Sequence, residues 1–125
     1  TLTNDLNGLE VEADGDILLS NEVHHTSTGD ANLLPFAYGY VTSTGSLSSG
    51  TSNIGTVSKV ATGQYKIEIA NLGTGYIVQV TGVGGSSFIL AKVMGVFSTY
   101  FTVSTWDTKA DGYADCGFSF VVFKP

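Results

Sequence analysis

The stretch ATGQYKIEIANLGTGYIVQV, residues 61–80, decides how the chain is read. In QYKIEI, Tyr65, Ile67 and Ile69 alternate with Gln64, Lys66 and Glu68. A period of two puts the apolar set on one face of a strand and the polar set on the other. Thr62-Gly63 before it and Asn71-Leu72-Gly73-Thr74-Gly75 after it supply turn chemistry. The spacing predicts a half-buried strand bounded by turns and followed at once by a second strand, YIVQV.

Outward from there the same alternation dominates, and no stretch sustains helical periodicity. GLEVEA sets Leu9, Val11 and Ala13 against Glu10 and Glu12; with the Asp14-Gly15-Asp16 turn and ILLS it predicts a hairpin over residues 8–20. EVHH, residues 22–25, reads as a short strand. In FAYGYV, Phe36, Tyr38 and Tyr40 share one face. Residues 42–55 are turn-rich and read as the longest loop. TVSKVA joins QYKIEI through Thr62-Gly63, GVGGS turns YIVQV into SFILAKVM, and VFSTYF, FTVSTW and GFSFVVF close the chain. Eight to ten short strands with turns every 8–12 residues predict an all-β fold, a jelly-roll-like β-sandwich over residues 35–125. Its inward set is expected to hold Phe36, Tyr65, Ile67, Ile69, Val78, Val80, Leu90, Phe118 and Phe120. Residues 1–34 lack aromatic side chains and are expected to form an extended stalk or hairpin segment.

Composition narrows the function. At 125 residues the chain has the length of one domain. Only 13% of residues are charged, against about 25% in an average globular protein. There is no Arg and the net charge is −6, which argues against nucleic acid as a partner. Residues 1–30 hold seven acids and no Lys, while the rest holds five Lys against four acids. That acidic stretch reads first as a solvated face and second as a place for divalent cations. The single Cys116 excludes an intrachain disulfide and reads as a small buried thiol. No apolar run reaches the ~20 residues of a membrane helix, so no membrane insertion is expected. The chain opens on Thr and is expected to be part of something longer.

Several strands are apolar on both faces. Phe88, Leu90 and Met94 oppose Ile89, Ala91 and Val93, and Phe118, Phe120 and Val122 oppose Val121 and Phe123. One sandwich core uses one face of each sheet, so these strands call for a second burial partner. Self-association supplies it.

PFAYGYVTSTGSL, ATGQYKIEI, YIVQVTGVG and the final YFTVSTWDTKADGYADCGFSFVVFKP together resemble C-terminal modules of bacteriophage and prophage tail fibres. Those modules share an F-A-x-G-x-V start and a G-x-Y-x-I/V strand, here Gly63, Tyr65 and Ile67. They share a finish matched by Val103, Thr105, Asp107, Asp115, Phe118, Phe120 and Val122. The likeness covers about residues 35–125. It implies a homotrimeric receptor-binding tip on a virion tail fibre that recognises a bacterial surface receptor, usually glycan, and it implies no catalytic residues and no cofactor. A purely structural trimerisation or capping module, and a secreted or cell-surface bacterial carbohydrate-binding adhesin, are the alternatives.

The candidate ligand residues lie in one turn: Trp106, Asp107, Asp111, Tyr113 and Asp115. An aromatic face stacks on a pyranose, and carboxylates accept hydrogen bonds from its hydroxyls. The plain reading of the same residues is a hairpin loop around Asp111-Gly112, with Trp106 in a core or at a protomer boundary. The four-residue spacing of the three Asp matches no calcium loop, so no metal is expected there. His24-His25 places neighbouring side chains on opposite faces, which does not stack ligands. The acids lie mainly in turns and in the N-terminal stretch, a poor arrangement for the paired carboxylates of glycoside hydrolysis. GVGGS lacks the Lys and helix of a phosphate loop. The expectation is a binding protein, not an enzyme.

Overall fold

A computed structural model describes residues 9–11, 17–19, 23 and 32–125. The chain divides into two compact units, Thr1–Leu34 and Pro35–Pro125. In the first, β1 (Leu9–Val11) pairs antiparallel with β2 (Ile17–Leu19), Leu9 opposite Leu19. These are the two strands of the expected hairpin; its Asp14-Gly15-Asp16 turn lies outside the described residues. Asn32 Oδ1 accepts from Val23 N at 3.2 Å and from Leu34 N at 3.0 Å. Of the strand expected at 22–25 only Val23 is described, and it lies outside any strand. His24, His25 and most of the acidic stretch lie outside the described residues.

The second unit is all-β, with two antiparallel sheets and no helix among its residues. The first sheet holds β5 (Ile54–Ala61), β6 (Gln64–Ile69), β9 (Tyr100–Asp107) and β8 (Ile89–Val96). The short β10 (Gly112–Tyr113) adds to β9 on the side of β6, beyond the end of β6. The second sheet runs β4 (Leu47–Gly50), β3 (Ala37–Val41), β11 (Gly117–Phe123), β7 (Ile77–Val83). Hairpins β3–β4, β5–β6 and β8–β9 stay within a sheet, and the other long connections cross between sheets.

The core lies where the two inner faces meet. Tyr65, Ile67 and Ile69 of β6 and Phe101 and Val103 of β9 face Ala37 and Val41 of β3 and Phe118, Phe120 and Val122 of β11. Two edge-to-face aromatic pairs cross the gap: Tyr65 on Phe118 at 5.1 Å between centroids, and Phe101 on Phe120 at 5.3 Å. This is the sandwich-like packing that the alternation in QYKIEI demands. The turn before β6 depends on Gly63. Its φ of +60° belongs to the left-handed region, and a Cβ there would stand 2.5 Å from the Thr105 carbonyl oxygen. Phe36, Val78 and Val80 are partly buried and pack against the core.

The structure differs from the sequence reading at four places. Leu90 is 61% exposed, not inward, and Ala91 is the β8 residue that packs on the core. Both faces of β8 are apolar, so alternation could not choose, and the small Ala91 fits opposite Gly82 of β7. In β3 the buried residues are Ala37, Gly39 and Val41, while Tyr38 and Tyr40 face outward. Small residues go inward there because Leu47 and Ile54 side chains crowd the space over Gly39. The supposed loop 42–55 contains β4 and the first residues of β5, since Ser49 and Gly50 complete the edge of β3. VFSTYF is not one strand: Val96 ends β8, Tyr100 and Phe101 begin β9 and run on into FTVSTW, and the turn at 97–99 closes the hairpin, with Phe97 N donating to Tyr100 O at 2.9 Å.

Candidate functional site

The chain from Trp106 to Asp115 is a turn that leaves β9 and comes back beside it. Gly112 pairs with Asp107 and Tyr113 with Trp106. Asp107 shapes the turn: its Oδ1 accepts from Lys109 N at 2.9 Å and from Ala110 N at 3.0 Å. That is an Asx-type contact, in which a short acidic side chain replaces backbone partners. Asp111 takes the left-handed conformation, φ +54°, that Asp tolerates better than most residues. Beyond β10, Ala114 N donates to Thr105 O at 3.2 Å and the Thr105 hydroxyl donates to Ala114 O.

Asp115 closes the turn onto the neighbouring β5–β6 hairpin. Its Oδ2 is ion-paired with Lys59 Nζ, and its Oδ1 accepts from Gly63 N at 2.7 Å. The Lys59 ammonium first, and the Gly63 N–H second, hold its carboxyl below the usual carboxylate range. Next in the chain, Cys116 is a buried free thiol, with Sγ 3.2 to 3.6 Å from the Val83, Gly84 and Gly117 carbonyls.

Of the five candidate residues the fold therefore brings two together as a surface. Trp106 and Tyr113 are cross-strand partners on the outer face of the first sheet, with centroids 4.9 Å apart and planes at 80°. Asp107 and Asp115 turn their carboxylates to backbone N–H groups and to Lys59, and the three acids do not converge on one point.

The aromatic pair borders a groove of about 440 Å³ lined by Leu90, Ala91, Lys92, Met94, Ser104, Trp106 and Tyr113. Pairing of β8 with β9 builds it: Leu90 stands opposite Trp106 and Lys92 opposite Ser104. One extra residue near Met94, between the pairs Val93↔Val103 and Gly95↔Thr102, bulges β8 there. Leu90, Lys92, Met94 and Ser104 were not among the site residues expected from sequence. Their signal was the β8–β9 hairpin register, which is visible only once the turn at 97–99 is recognised. The groove offers two aromatic rings, two aliphatic walls, one amine and two hydroxyls. The lining is mostly apolar and carries few polar groups.

Comparison of the chain with family models, with curated proteins and with solved structures returns no match in any of the three.

Proposed function

We propose that this domain is a recognition module, the receptor-binding tip of a phage tail fibre or fibre-like particle, acting as a homotrimer on a bacterial surface glycan. The observation that carries the reading is the outward-facing Trp106–Tyr113 pair at the lip of a groove holding Lys92 and Ser104. A pyranose presents an apolar face of C–H bonds that suits an aromatic ring, and its hydroxyls suit the Lys92 amine and the Tyr113 hydroxyl, while Ser104 is buried at the groove floor. The tail-fibre resemblance of residues 35–125 supplies the class of particle and the number three. In this reading Asp107 and Asp115 hold the site's frame and the rings touch the ligand.

The test is binding of the full chain to candidate host cells and to a panel of bacterial surface glycans. Trp106→Ala and Tyr113→Ala are each expected to weaken binding roughly tenfold, the scale of about 1.4 kcal/mol from a lost aromatic contact. Val60→Ala, on the far edge strand β5, is expected to change nothing. A trimer that binds every panel member and cell equally with and without both rings sinks the assignment of the site. A trimer that binds none of them favours the assembly-module reading.

A further inference from the structure

We propose that the groove beside Trp106 and Tyr113 selects carboxylate-bearing sugars, with the Lys92 ammonium as the group that reads the acid. This rests on the glycan reading above and names the chemical class of the ligand.

Lys92 stands apart from the other lysines of the sandwich unit. Lys59 is ion-paired with Asp115, and Lys66 with Glu68 at 2.7 Å. The Lys66 ammonium also lies 4.4 Å from the centroid of the Tyr100 ring. Lys109 lies over the Phe88 ring. Lys124 lies over Phe36 and donates to Asn71 O at 2.8 Å. Among the described residues Lys92 alone of the five has neither an ion-pair partner nor a ring beneath its ammonium.

Its surroundings favour an incoming anion. β8 sets Lys92 on its outer face between Leu90 and Met94, and pairing places it opposite Ser104 and diagonal to Trp106. No acid lines the groove. Aliphatic and aromatic walls exclude part of the water, so the ammonium is screened less than one standing on an open surface. The long-range field does not oppose it either. Seven of the eleven acids lie before residue 31, and residues 35–125 hold five Lys against four acids, a net +1. An anion approaching this unit meets no excess of like charge.

Geometry and valence point to a carboxylate on a sugar ring. Diagonal neighbours on an antiparallel pair stand about 7–8 Å apart. A pyranose stacked on Trp106 spans that distance with a carboxylate at its ring edge, and the apolar C–H face and the acid are then held together. One ammonium matches one negative charge. A phosphate monoester carries up to about two charges on three acceptor oxygens. The lining supplies no second cation for it.

The experiment uses the full chain and a panel of bacterial surface glycans sorted into carboxylate-bearing, phosphate-bearing and neutral members. Each carboxylate-bearing glycan that binds is measured again after chemical reduction of its carboxyl to a hydroxymethyl group. Wild type is expected to hold the native form about fivefold more tightly, the scale of a partly exposed ion pair. That preference should shrink as salt is raised. Lys92→Gln is expected to bind native and reduced forms about equally, and Lys92→Arg to keep most of the preference. Lys109→Gln, an exposed lysine outside the groove, is expected to keep all of it. Trp106→Ala is expected to weaken both forms by a common factor. A Lys92→Gln protein that keeps the fivefold preference overturns the assignment and leaves Lys92 as a charge that only blunts an edge strand. Wild type that binds only neutral or phosphate-bearing glycans, or native and reduced forms alike, overturns the acid specificity and leaves glycan recognition standing. Wild type that binds no glycan overturns the glycan reading of the groove and this inference with it.

Discussion

Tyr65 is the most informative single position for stability. Its side chain is fully buried, its ring packs edge-on against Phe118, and its hydroxyl donates to Ser43 O at 3.0 Å. The same hydroxyl accepts from the buried Cys116 N at 3.3 Å. Burial pushes the phenol above its ordinary pKa, so it stays a neutral donor through the working pH range. Tyr65→Phe keeps the ring and its packing but leaves Cys116 N–H without this partner in a buried position. An unsatisfied buried donor costs about 1–3 kcal/mol. At about 4–8 °C per kcal/mol for a domain of this size, a 2 kcal/mol loss lowers Tm by roughly 8–16 °C. Tyr76→Phe is the matched control. The partly buried Tyr76 hydroxyl accepts from Phe97 N at 3.0 Å and lies within donating distance of Phe97 O (2.9 Å) and Tyr100 O (3.0 Å). Without it Phe97 N and Tyr100 O still bond each other at 2.9 Å and water reaches Phe97 O, so the expected loss is below about 1 kcal/mol. Thermal melts followed by circular dichroism at one fixed protein concentration compare the two, since association makes Tm depend on concentration. A Tyr65→Phe protein that melts with wild type, or above Tyr76→Phe, would refute the claim that this hydroxyl is the buried N–H group's needed partner.

Three further predictions follow from the turn and its latch. Gly63→Ala forces a side chain into a left-handed residue and against the Thr105 carbonyl, so a loss of at least about 1–2 kcal/mol in urea unfolding is expected. Wild-type stability would contradict the turn geometry. Asp107→Ala strips the acceptor from two exposed N–H groups and should cost about 0.5–1 kcal/mol while leaving glycan binding unchanged; a tenfold loss of binding with unaltered Tm would move this carboxylate into the ligand site. Asp115 has a folded-state pKa below its unfolded value, so its contribution is present above the unfolded carboxylate value near ~3.9 and is lost as pH falls through the folded value. The pair with Lys59 is partly exposed, which limits the effect to a few tenths to about 1 kcal/mol. Tm of wild type should therefore fall more steeply than that of Asp115→Asn between pH 5 and 2, and parallel curves would remove the latch.

Sequence was enough wherever one face of a strand was polar. Gln64, Lys66 and Glu68 leave Tyr65, Ile67 and Ile69 no face but the inner one, and Phe118 and Phe120 follow because Ser119 marks the outside of β11. Turn chemistry was equally local: Thr62-Gly63 joins β5 to β6 because Gly alone among common residues takes φ +60° at little cost. Turn chemistry marked a loop at Asp111-Gly112, but Gly112 lies in β10 opposite Asp107, and the register that pairs Trp106 with Tyr113 came only with the fold. Where both faces are apolar, local pattern is silent. Ala91 rather than Leu90 enters the core, close to Gly82, and on the inner face of β3 the Leu47 and Ile54 side chains leave no room for a side chain at position 39. Only the tertiary fold set Leu90 and Lys92 against Trp106 and Ser104 and sent Asp115 to Lys59 and Gly63. Those contacts join residues 12 to 56 positions apart, and their geometry is fixed by which strands pair and in what register, which no single strand's periodicity contains.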